Sequence, residues 1–434
     1  MTIIERIESR EATVAVLGMG RVGLPLGIAF AATGLRVMGV DPDPAIRGTI
    51  ALGKMPFHDP GCEDLLAEAV HAGRLSAHVD PAEAVPSADA VVLCVGTPLA
   101  ADLRPDYDQL RSALSGIAPH LRPGQLLVQR STVSPGTLNK VVLPYLRECA
   151  PGAAEGLLVA ACPERIAEGA AMKELRSVPE IVGGVDEASS RAVAALFATL
   201  GPDKPIHVTT ATAAELAKLY TNVYRYVNFA LANEFAVLAE YYREDAHEII
   251  RMVNEGYPRA NVALPGPAGG PCLSKDGYFL VEELTLPDFV LTAWKLNDSA
   301  PAHVVRRFVR RLDLRGVPLA GTPIAVLGQT FKRDSDDLRQ SPAIRITQIL
   351  RREGCDVRVH DPFLPGLTLQ QALAGARGFV LATNHSQFDS LDPSEVASLM
   401  EDPRVGIDAW GTLDRKRFAA AGVELLTFGV GDEL

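Results

Sequence analysis

The feature that most constrains the fold is the glycine pattern in VAVLGMGRVGLPLGIAF, residues 14–30. Gly18, Gly20 and Gly23 have GxGxxG spacing and stand between a β-branched run and an Ala-rich run that favours a helix. In such a βα unit the first glycine permits a tight turn, the second lets a phosphate approach the backbone, and the third lets helix and strand pack closely. The helix N-terminus adds amides and partial positive charge. The segment therefore predicts a dinucleotide site, in which we also place Val22.

An acidic residue follows the next predicted strand. The run Val37–Val40 ends in Asp41, eighteen residues after Gly23. A carboxylate there can accept hydrogen bonds from an adenosine ribose and would repel a 2′-phosphate, so the pattern favours NAD over NADP. Arg47 either approaches the cofactor phosphates or adenine, or lies on a solvated helix face.

The bulk properties argue against several classes of protein. The chain has 434 residues, which favours two or three domains, and no segment approaches the ~20 apolar residues that span a bilayer. A net charge of −11 argues against nucleic-acid binding, and the start of the chain lacks the pattern of a signal peptide, so we expect a cytoplasmic protein. Six scattered cysteines without a CxxC pair and nine histidines without HExxH predict no metal site.

Short β-branched runs alternate with helix-forming stretches in both the first and the last parts of the chain. This alternation predicts an α/β protein with two Rossmann-like domains, each a doubly wound parallel sheet, joined by a central helical region with one long helix. We place the cofactor domain at residues 1–208, the central region at 209–314 and the second α/β domain at 315–434. The expected strands are Val14–Leu17, Arg36–Val40, Ala90–Val95, Gln125–Gln129, Leu157–Ala160, Glu180–Val182, Pro323–Leu327, Asp356–His360 and Gly378–Ala382.

The long helix is expected over about residues 210–244, because this stretch contains no Gly or Pro and opens with Thr212 and Glu215 in capping-box spacing. Lys218 and Asn222 are four residues apart on this helix and therefore share a face. They form either an oxyanion clamp or, in the alternative, a solvated surface lysine and a helix-packing amide.

The segment PGPAGGPCLSKDGYFL contains a candidate nucleophile, Cys272. Gly269 and Gly270 leave the approach to the thiol open. A helix that begins near Cys272 would stabilise the thiolate, present amides to an oxyanion and put Asp276 one turn away on the same face. The alternative is a buried, inert cysteine.

Three further segments place polar residues at strand ends, where open α/β sheets bind ligands. They are Thr97 in VGTPL, Ser131 and Thr132 in QRSTVSPGT, and Glu164 in ACPERIAEG. Each of them is alternatively a helix cap or a turn residue. We assign Thr97 and Thr132 to the cofactor site.

Taken in order, these segments resemble the family of UDP-glucose and UDP-N-acetylmannosamine 6-dehydrogenases. The resemblance covers nearly the whole chain and implies a four-electron oxidation at C6 that consumes two NAD and retains the aldehyde. It also implies that Cys272 captures this aldehyde as a thiohemiacetal, which is oxidised to a thioester and hydrolysed. The matching segments are LGMGRVGLPL, VDPD, CVGTPL, RSTVSPGT, CPERIAEG, AELAKLYTNVYRYVNFALANE, YPRANVALPGPAGGPCLSKD and GQTFKRDSDDLRQSPA.

The resemblance implies roles for the other catalytic candidates as well. Lys218 and Asn222 would stabilise oxyanions at C6, and Asp276 would orient or deprotonate water and the substrate hydroxyl. Thr132 and Glu164 would position the hydrolytic water.

Substrate contacts are implied for the C-terminal domain, which in this family holds the nucleotide diphosphate. Lys332 and Arg339 in FKRDSDDLR would contact the diphosphate or the sugar, unless they belong to a merely solvated loop. Arg259 matches an arginine that reaches the substrate of the neighbouring subunit, so we expect a homodimer formed through the central helical region. The other expected contacts with the UDP-sugar are made by Glu164, Arg165, Lys218, Asn222 and Gly269.

The loop around Cys272 mixes two branches of the family. CPER, YPRAN and PGPAGG resemble the N-acetylhexosamine branch, whereas Pro271 replaces its usual histidine and Lys275-Asp276 is similar to the glucose branch. We therefore expect UDP-N-acetylmannosamine as the substrate and keep UDP-glucose as the alternative. The rival functions are a hydroxyacid-type dehydrogenase with a single hydride transfer and a non-catalytic dinucleotide-binding protein.

Overall fold

A computed structural model describes residues 1–431 of the chain. These residues form two compact units, and the division between the units falls within two of the helices. The first unit contains Met1–Thr221 and Tyr278–Glu283, and the second contains Asn222–Gly277 and the chain from Leu284 onward.

The first unit is built on an eight-stranded sheet. Its strands are β1 (Thr13–Leu17), β2 (Arg36–Val40), β3 (Leu75–His78), β4 (Ala90–Leu93), β5 (Leu126–Gln129), β6 (Leu158–Ala161), β7 (Glu180–Gly184) and β8 (Ile206–Thr210). They lie in the order β3-β2-β1-β4-β5-β6-β7-β8. Every neighbouring pair is parallel except β6 and β7, which corrects the expectation of a wholly parallel sheet. Because an antiparallel neighbour starts at the edge where β6 ends, the connection stays at that edge instead of crossing the sheet.

Helices cover both faces of this sheet. Val14 and Val16 belong to one apolar cluster and Ala15 and Leu17 to another, so successive side chains of β1 are buried on opposite faces. This is the doubly wound arrangement that the sequence predicts. The helices are α1 (Ile3–Glu8), α2 (Gly23–Ala32), α3 (Pro44–Ala51), α4 (Glu63–His71), α5 (Pro81–Ala84), α6 (Asp108–Ile117), α7 (Leu143–Cys149), α8 (Pro151–Ala154), α9 (Ala171–Ser177) and α10 (Glu187–Ala198), with a π-helical turn at Leu138–Val142.

The second unit contains a five-stranded sheet in which all strands are parallel. The strands are β9 (Pro323–Leu327), β10 (Asp356–His360), β11 (Gly378–Leu381), β12 (Val405–Asp408) and β13 (Glu424–Thr427), in the order β10-β9-β11-β12-β13. Alternate residues of β9 again belong to two different apolar clusters, so this sheet is also covered on both faces.

A helical region separates the two sheets along the chain. Its main element is the long helix α11 (Ala211–Tyr242), which has 32 residues and continues from the first unit into the second. The fold class is therefore confirmed. Among residues 1–431, no helix is both long enough and apolar enough to cross a membrane. The remaining helices are α12 (Ala246–Asn254), α13 (Leu273–Val281), α14 (Asp288–Leu314), α15 (Pro342–Arg352), α16 (Leu369–Leu373), α17 (Pro393–Leu399) and α18 (Arg415–Ala420).

The start of α11 differs from the prediction of a capping box. The hydroxyl of Thr210, not that of Thr212, accepts a hydrogen bond from the backbone amide three residues later. Glu215 does not reach back to the start of its own helix. Its two carboxylate oxygens accept hydrogen bonds from the backbone amides of Gly136 (2.6 Å) and Leu138 (3.0 Å). Because those amides belong to another segment, the spacing in the sequence could not show this contact.

Candidate active site

The glycine turn after β1 has the shape that a bound pyrophosphate requires. Gly18 has a φ of +89°, and a Cβ there would lie 2.7 Å from the carbonyl oxygen of Cys94. A Cβ at Gly23 would lie 1.9 Å from the carbonyl oxygen of Gly18, so helix and turn pack too closely for any side chain. At Gly20 an added Cβ would meet no atom within 4 Å. Val22 precedes α2, and no side chain caps this helix. The turn therefore leaves room for NAD at uncapped helix amides.

Asp41 closes the turn from the neighbouring strand. Its Oδ2 accepts a hydrogen bond from the amide of Met19 at 2.8 Å, and its Oδ1 accepts one from Asp43 at 2.9 Å. Each oxygen keeps a further lone pair for a ribose hydroxyl. Arg47 donates to the carbonyl oxygen of Asp41 at 2.7 Å, so its guanidinium also lies at this strand end. The structure thus brings both predicted residues to the glycine turn.

Two loops at the carboxyl ends of β4 and β5 are tied to each other. The hydroxyl of Thr97 donates to the carbonyl oxygen of Thr132 at 2.7 Å, and the hydroxyl of Ser131 donates to the carbonyl oxygen of Val95 at 2.7 Å. Thr97 is buried, whereas Thr132 is partly exposed. These bonds leave the Thr132 hydroxyl on a fixed backbone at the ligand-binding edge of the sheet.

Glu164 follows β6 and is buried against Arg130. Its Oε2 accepts hydrogen bonds from Nε (3.0 Å) and Nη2 (2.8 Å) of Arg130, and its Oε1 accepts one from the amide of Ile166 (2.5 Å). Arg165 is half-buried, and its Nη1 donates to the carbonyl oxygen of Pro179 at 3.1 Å. The guanidinium of Arg165 is therefore partly engaged by the scaffold.

Lys218 is buried in the first unit, with only 6% of its surface exposed. Within residues 1–431 no carboxylate neutralises its ammonium group. Lys218 is therefore not the solvated surface lysine of the alternative.

Cys272 lies in the second unit, directly before α13, and is exposed. Its carbonyl oxygen accepts hydrogen bonds from the amides of Lys275 (3.2 Å) and Asp276 (3.0 Å), which begin the helical turn. The thiol is therefore at a helix N-terminus, where amides and the helix dipole stabilise a thiolate. The alternative of a buried cysteine is wrong for this residue.

The glycines before Cys272 are required by close packing. Gly270 has a φ of +101°, and its amide donates to the carbonyl oxygen of Gln340 at 3.1 Å. A Cβ at Gly269 would lie 2.6 Å from Cδ of Pro342. The loop that carries Cys272 is thus fixed against the segment that precedes α15.

Asp276 and Asn222 form a buried polar pair in the second unit. Nδ2 of Asn222 donates to Oδ2 of Asp276 at 2.6 Å, and Asp276 is fully buried. Within residues 1–431, Oδ1 of Asp276 has no hydrogen-bond partner, and Nζ of Lys275 is 4.0 Å away. A buried carboxylate oxygen without a donor is rare, so this atom indicates the place of a hydroxyl or a water.

The charged candidates in the rest of the second unit are in contrasting settings. Lys332 is half-buried in the loop after β9. Arg339 is exposed but bound by the buried Asp337, with distances of 2.9 Å and 2.6 Å from its Nε and Nη2 to Oδ2. Arg259 is exposed, lies over the ring of Tyr257 at 4.4 Å and donates to its hydroxyl.

Comparison with known proteins identifies the family. Residues 12–201 match the NAD binding domain, residues 212–298 the central domain and residues 325–415 the UDP binding domain of the UDP-glucose/GDP-mannose dehydrogenase family. This chain belongs to that family. It is an NAD-dependent nucleotide-sugar dehydrogenase.

Relatives of this dehydrogenase match along almost its whole length. A UDP-N-acetyl-D-mannosamine dehydrogenase of Pyrococcus horikoshii is 35% identical over 394 residues, which are 89% of this chain and 93% of the relative. A solved structure of the UDP-D-ManNAc dehydrogenase of P. horikoshii has a TM-score of 0.91 and 32% identity, and the match covers 97% of this chain and 100% of that one. A UDP-glucose dehydrogenase structure from Pyrobaculum islandicum has a TM-score of 0.86 and 28% identity, with 97% and 98% covered.

Some residues that shape the site of this dehydrogenase were not predicted from its sequence. Arg130 and Glu180 hold Glu164, Glu215 holds the loop after β5, and Asp337 holds Arg339. The one available signal was a charge directly after an apolar strand, as at Arg130. Except for Asp337 and Arg339, which are two positions apart, the partners are far apart in the sequence, so their pairing requires the fold.

Proposed function

We propose that this dehydrogenase oxidises the C6 hydroxymethyl group of UDP-N-acetyl-D-mannosamine to a carboxylate, reducing two NAD⁺ and consuming one water per sugar. UDP-glucose is the alternative substrate. The similarity to the UDP-N-acetyl-D-mannosamine dehydrogenase of P. horikoshii and the CPER segment both support the 2-acetamido sugar.

One observation carries the proposal. Cys272 is exposed at the N-terminus of α13, and one turn later Asp276 presents a buried oxygen without a partner while Asn222 fixes the other oxygen. A nucleophile and a base held by an amide are what covalent capture of an aldehyde requires. A dehydrogenase with a single hydride transfer needs neither the exposed thiol nor the helix N-terminus.

The first oxidation converts the alcohol to an aldehyde. The C6 hydroxyl gives its proton to Oδ1 of Asp276, directly or through a water, while C6 loses a hydride. NAD⁺, when bound, is the hydride acceptor. We assign the stabilisation of the developing oxyanion to Lys218 and Asn222, a cation and an amide donor.

The second oxidation occurs on the cysteine. The thiolate of Cys272 adds to C6 of the aldehyde, and the carbonyl oxygen takes a proton to give a thiohemiacetal. Loss of a second hydride from C6 and of that proton leaves a thioester. Water then attacks the C6 carbonyl and releases its two protons to solvent, the carbon–sulfur bond breaks, and the carboxylate leaves with the thiolate restored. We assign the positioning of this water to Thr132 and Glu164.

Replacing the nucleophile tests this chemistry. Cys272→Ser is expected to lower the rate of uronate formation by at least about a hundredfold, because a serine at this place is a far weaker nucleophile. Cys149→Ser, at an exposed cysteine outside the proposed site, is the matched control and should keep the full rate. Acid and aldehyde are separated by chromatography. Equal rates for both variants would remove the covalent step.

A panel of nucleotide sugars tests the substrate. We expect kcat/KM to be highest for UDP-N-acetylmannosamine when this sugar, UDP-N-acetylglucosamine, UDP-N-acetylgalactosamine and UDP-glucose are offered separately with NAD. Appreciable turnover of UDP-glucose alone would reverse the order, and Pro271 in place of the usual histidine makes that comparison informative.

The remaining assignments concern binding. Lys332 and Arg339 are assigned to the diphosphate or the sugar, with Asp337 orienting the guanidinium of Arg339. Arg165 and Gly269 are assigned to the sugar. The cofactor is assigned to the glycine turn with Asp41, Arg47, Thr97 and Thr132.

We propose domain boundaries at residues 208 and 314, since each matched family segment then lies inside one domain.

A homodimer is proposed through the helical region. On α11, apolar side chains that are 38% to 69% exposed recur at coiled-coil spacing: Tyr224, Leu231, Phe235, Leu238 and Tyr242. Such a continuous exposed apolar stripe is typical of an interaction surface. A second copy of the same stripe would cover it in an isologous contact.

Scattering after size exclusion tests the dimer. Leu231→Glu should give a monomer, because a charge would be buried in the middle of the stripe. Arg259, which we assign to the substrate of the neighbouring subunit, would then be removed from its site, and activity should fall with dimer dissociation. An active monomer would contradict both assignments.

A further inference from the structure

The Arg130 side chain is fully buried beneath Glu164 in the first unit, and all five of its N–H donors are used. Nε and one Nη2 proton bind Oε2 of Glu164. The other Nη2 proton binds Oε1 of Glu180 at 3.2 Å, and Nη1 binds Oε2 of Glu180 at 2.7 Å and the carbonyl oxygen of Cys162 at 3.0 Å. A guanidinium with every donor engaged has one orientation.

The cluster is electrically balanced. Nζ of Lys204 is 3.3 Å from Oε1 of Glu180, so two buried cations face two carboxylates. Burial alone would lower the pKa of Arg130, but the charges of Glu164 and Glu180 outweigh it and hold this pKa above its ordinary value. Burial alone would raise the pKa of Glu180, but Arg130 and Lys204 hold it below its ordinary value. Arg130 and Glu180 are therefore held in their charged forms.

Glu164 is left with a single open acceptor position. A carboxylate has about four lone-pair sites. Arg130 occupies two of them on Oε2, and the amide of Ile166 occupies one on Oε1. The remaining site is on Oε1, and its direction is fixed because both other contacts are fixed.

We propose that Arg130 and Glu180 are positioning residues for the hydrolysis of the thioester, and that they act by fixing the orientation of the Glu164 carboxylate. This inference rests on the proposed function, in which Glu164 positions the hydrolytic water. Glu180 acts indirectly. It accepts hydrogen bonds from both Nη atoms of Arg130 and so fixes the guanidinium, whose Nε side binds Glu164. Without the contacts from Glu180, the guanidinium of Arg130 tilts. The carboxylate of Glu164 then no longer holds the open lone pair of its Oε1 in one direction.

A loss of this orientation has a specific chemical consequence. Both oxidations occur before the hydrolytic water is needed, so the variant enzyme still forms the thioester. Attack of water on the C6 carbonyl and cleavage of the carbon–sulfur bond then become slow. The acyl group therefore accumulates on Cys272, whereas binding of both substrates is unchanged.

Two substitutions test the proposal. Arg130→Lys keeps the positive charge but loses the planar guanidinium that binds both carboxylates. Glu180→Gln keeps the shape of the side chain but loses its negative charge. Each is expected to lower kcat by at least about tenfold and to raise neither KM, because a slow final hydrolysis lowers kcat and the apparent KM values together. Intact-mass spectrometry during turnover should show the sugar-nucleotide acyl adduct on Cys272. Glu180→Asp, which keeps the charge, should restore part of the rate and covers the case in which Glu180→Gln does not fold.

Glu240→Gln is the matched control. Glu240 is a partly buried carboxylate, with 10% of its side chain exposed, that binds Arg307 and His303 in the second unit, and none of the proposed site residues is among its partners. This variant should keep its kcat and form no adduct. Wild-type kcat and no adduct in folded Arg130→Lys and Glu180→Gln would overturn the proposal, as would a loss of melting temperature alone. If the wild type itself forms no uronate, the proposed function fails, and the inference falls with it.

Discussion

The first turns of the two sheets have the same local geometry and different continuations. Gly18 and Gly328 have φ values of +89° and +85°. The amide of each glycine donates a hydrogen bond of 2.8 Å to the carbonyl oxygen of the last residue in the neighbouring strand. Asp41 and Asp361 then follow those strands. Oδ2 of Asp41 accepts a hydrogen bond of 2.8 Å from the amide of Met19. In the same way, Oδ2 of Asp361 accepts one of 2.6 Å from the amide of the residue after Gly328.

The two segments diverge after the turn. Helix α2 begins at Gly23, close behind Gly18, whereas α15 begins only at Pro342, after a long charged loop. In the second unit a fully buried His385 adds a contact to Asp361 at 3.1 Å and accepts the amide of Asp334 at 2.9 Å. We therefore propose that one scaffold serves two ligands, with a short turn whose backbone amides bind NAD and a long loop whose side chains bind the nucleotide sugar.

The largest expected effect concerns the short turn. Gly23→Ala places a Cβ 1.9 Å from the carbonyl oxygen of Gly18, so we expect unfolding to become easier by about 3 kcal/mol and NAD binding to weaken by about a hundredfold or more. Gly20→Ala meets no protein atom and should fold normally, yet it should also weaken NAD binding, because the methyl group occupies the place of the pyrophosphate. Calorimetry with NAD and with UDP measures both. A loss of UDP affinity in either variant would contradict separate ligand sites.

The two units should also differ in their response to pH. Burial raises the pKa of Glu215 in the first unit to about 7, against the opposing amides of Leu138 and Gly136. Burial alone would raise the pKa of Asp361 in the second unit, but His385 outweighs it and holds this pKa below its ordinary value. A raised carboxyl pKa means that the folded state keeps a proton that the unfolded chain has lost. Its stabilising contribution is present below pH 4.5 and is lost as the pH rises to about 7.

Glu215→Gln should remove this pH dependence of stability. Across the window from pH 4.5 to about 7 the free energy of unfolding of the wild type is expected to fall by up to ~3 kcal/mol relative to the variant. Urea unfolding at several pH values checks the difference. The contribution of Asp361 has the opposite sign, since it is lost only as the pH falls below its ordinary pKa, so Asp361→Asn should leave this window unchanged. Parallel curves for wild type and Glu215→Gln would contradict the shifted pKa.

A smaller effect separates the two aspartates. Asp41→Ala and Asp361→Ala each leave turn amides without an acceptor, and each should cost about 1–3 kcal/mol of stability. Their ligand effects should be opposite: Asp41→Ala should weaken NAD binding about tenfold and leave UDP binding unchanged, and Asp361→Ala should do the reverse. If both variants lost only NAD affinity, the shared scaffold would not mean separate ligands.

The contrast between local patterns and contacts formed by distant segments explains which features of this protein the sequence predicts. The glycine turn, Asp41 and the helix after Cys272 follow from short-range patterns, so their positions were predictable. The direction of β7 and the contact of Glu215 with the loop after β5 were not, because they depend on segments that meet only in the fold. The pairing of Arg130 with Glu180 is of the same kind, since the two residues are fifty positions apart.

The most direct test of the covalent mechanism is the ratio of NADH formed to sugar consumed, measured by NADH absorbance with limiting UDP-N-acetylmannosamine and excess NAD. We expect two NADH per sugar, together with the uronate as the product, because Cys272 holds the aldehyde for the second oxidation. One NADH per sugar, with free aldehyde in solution, would contradict it.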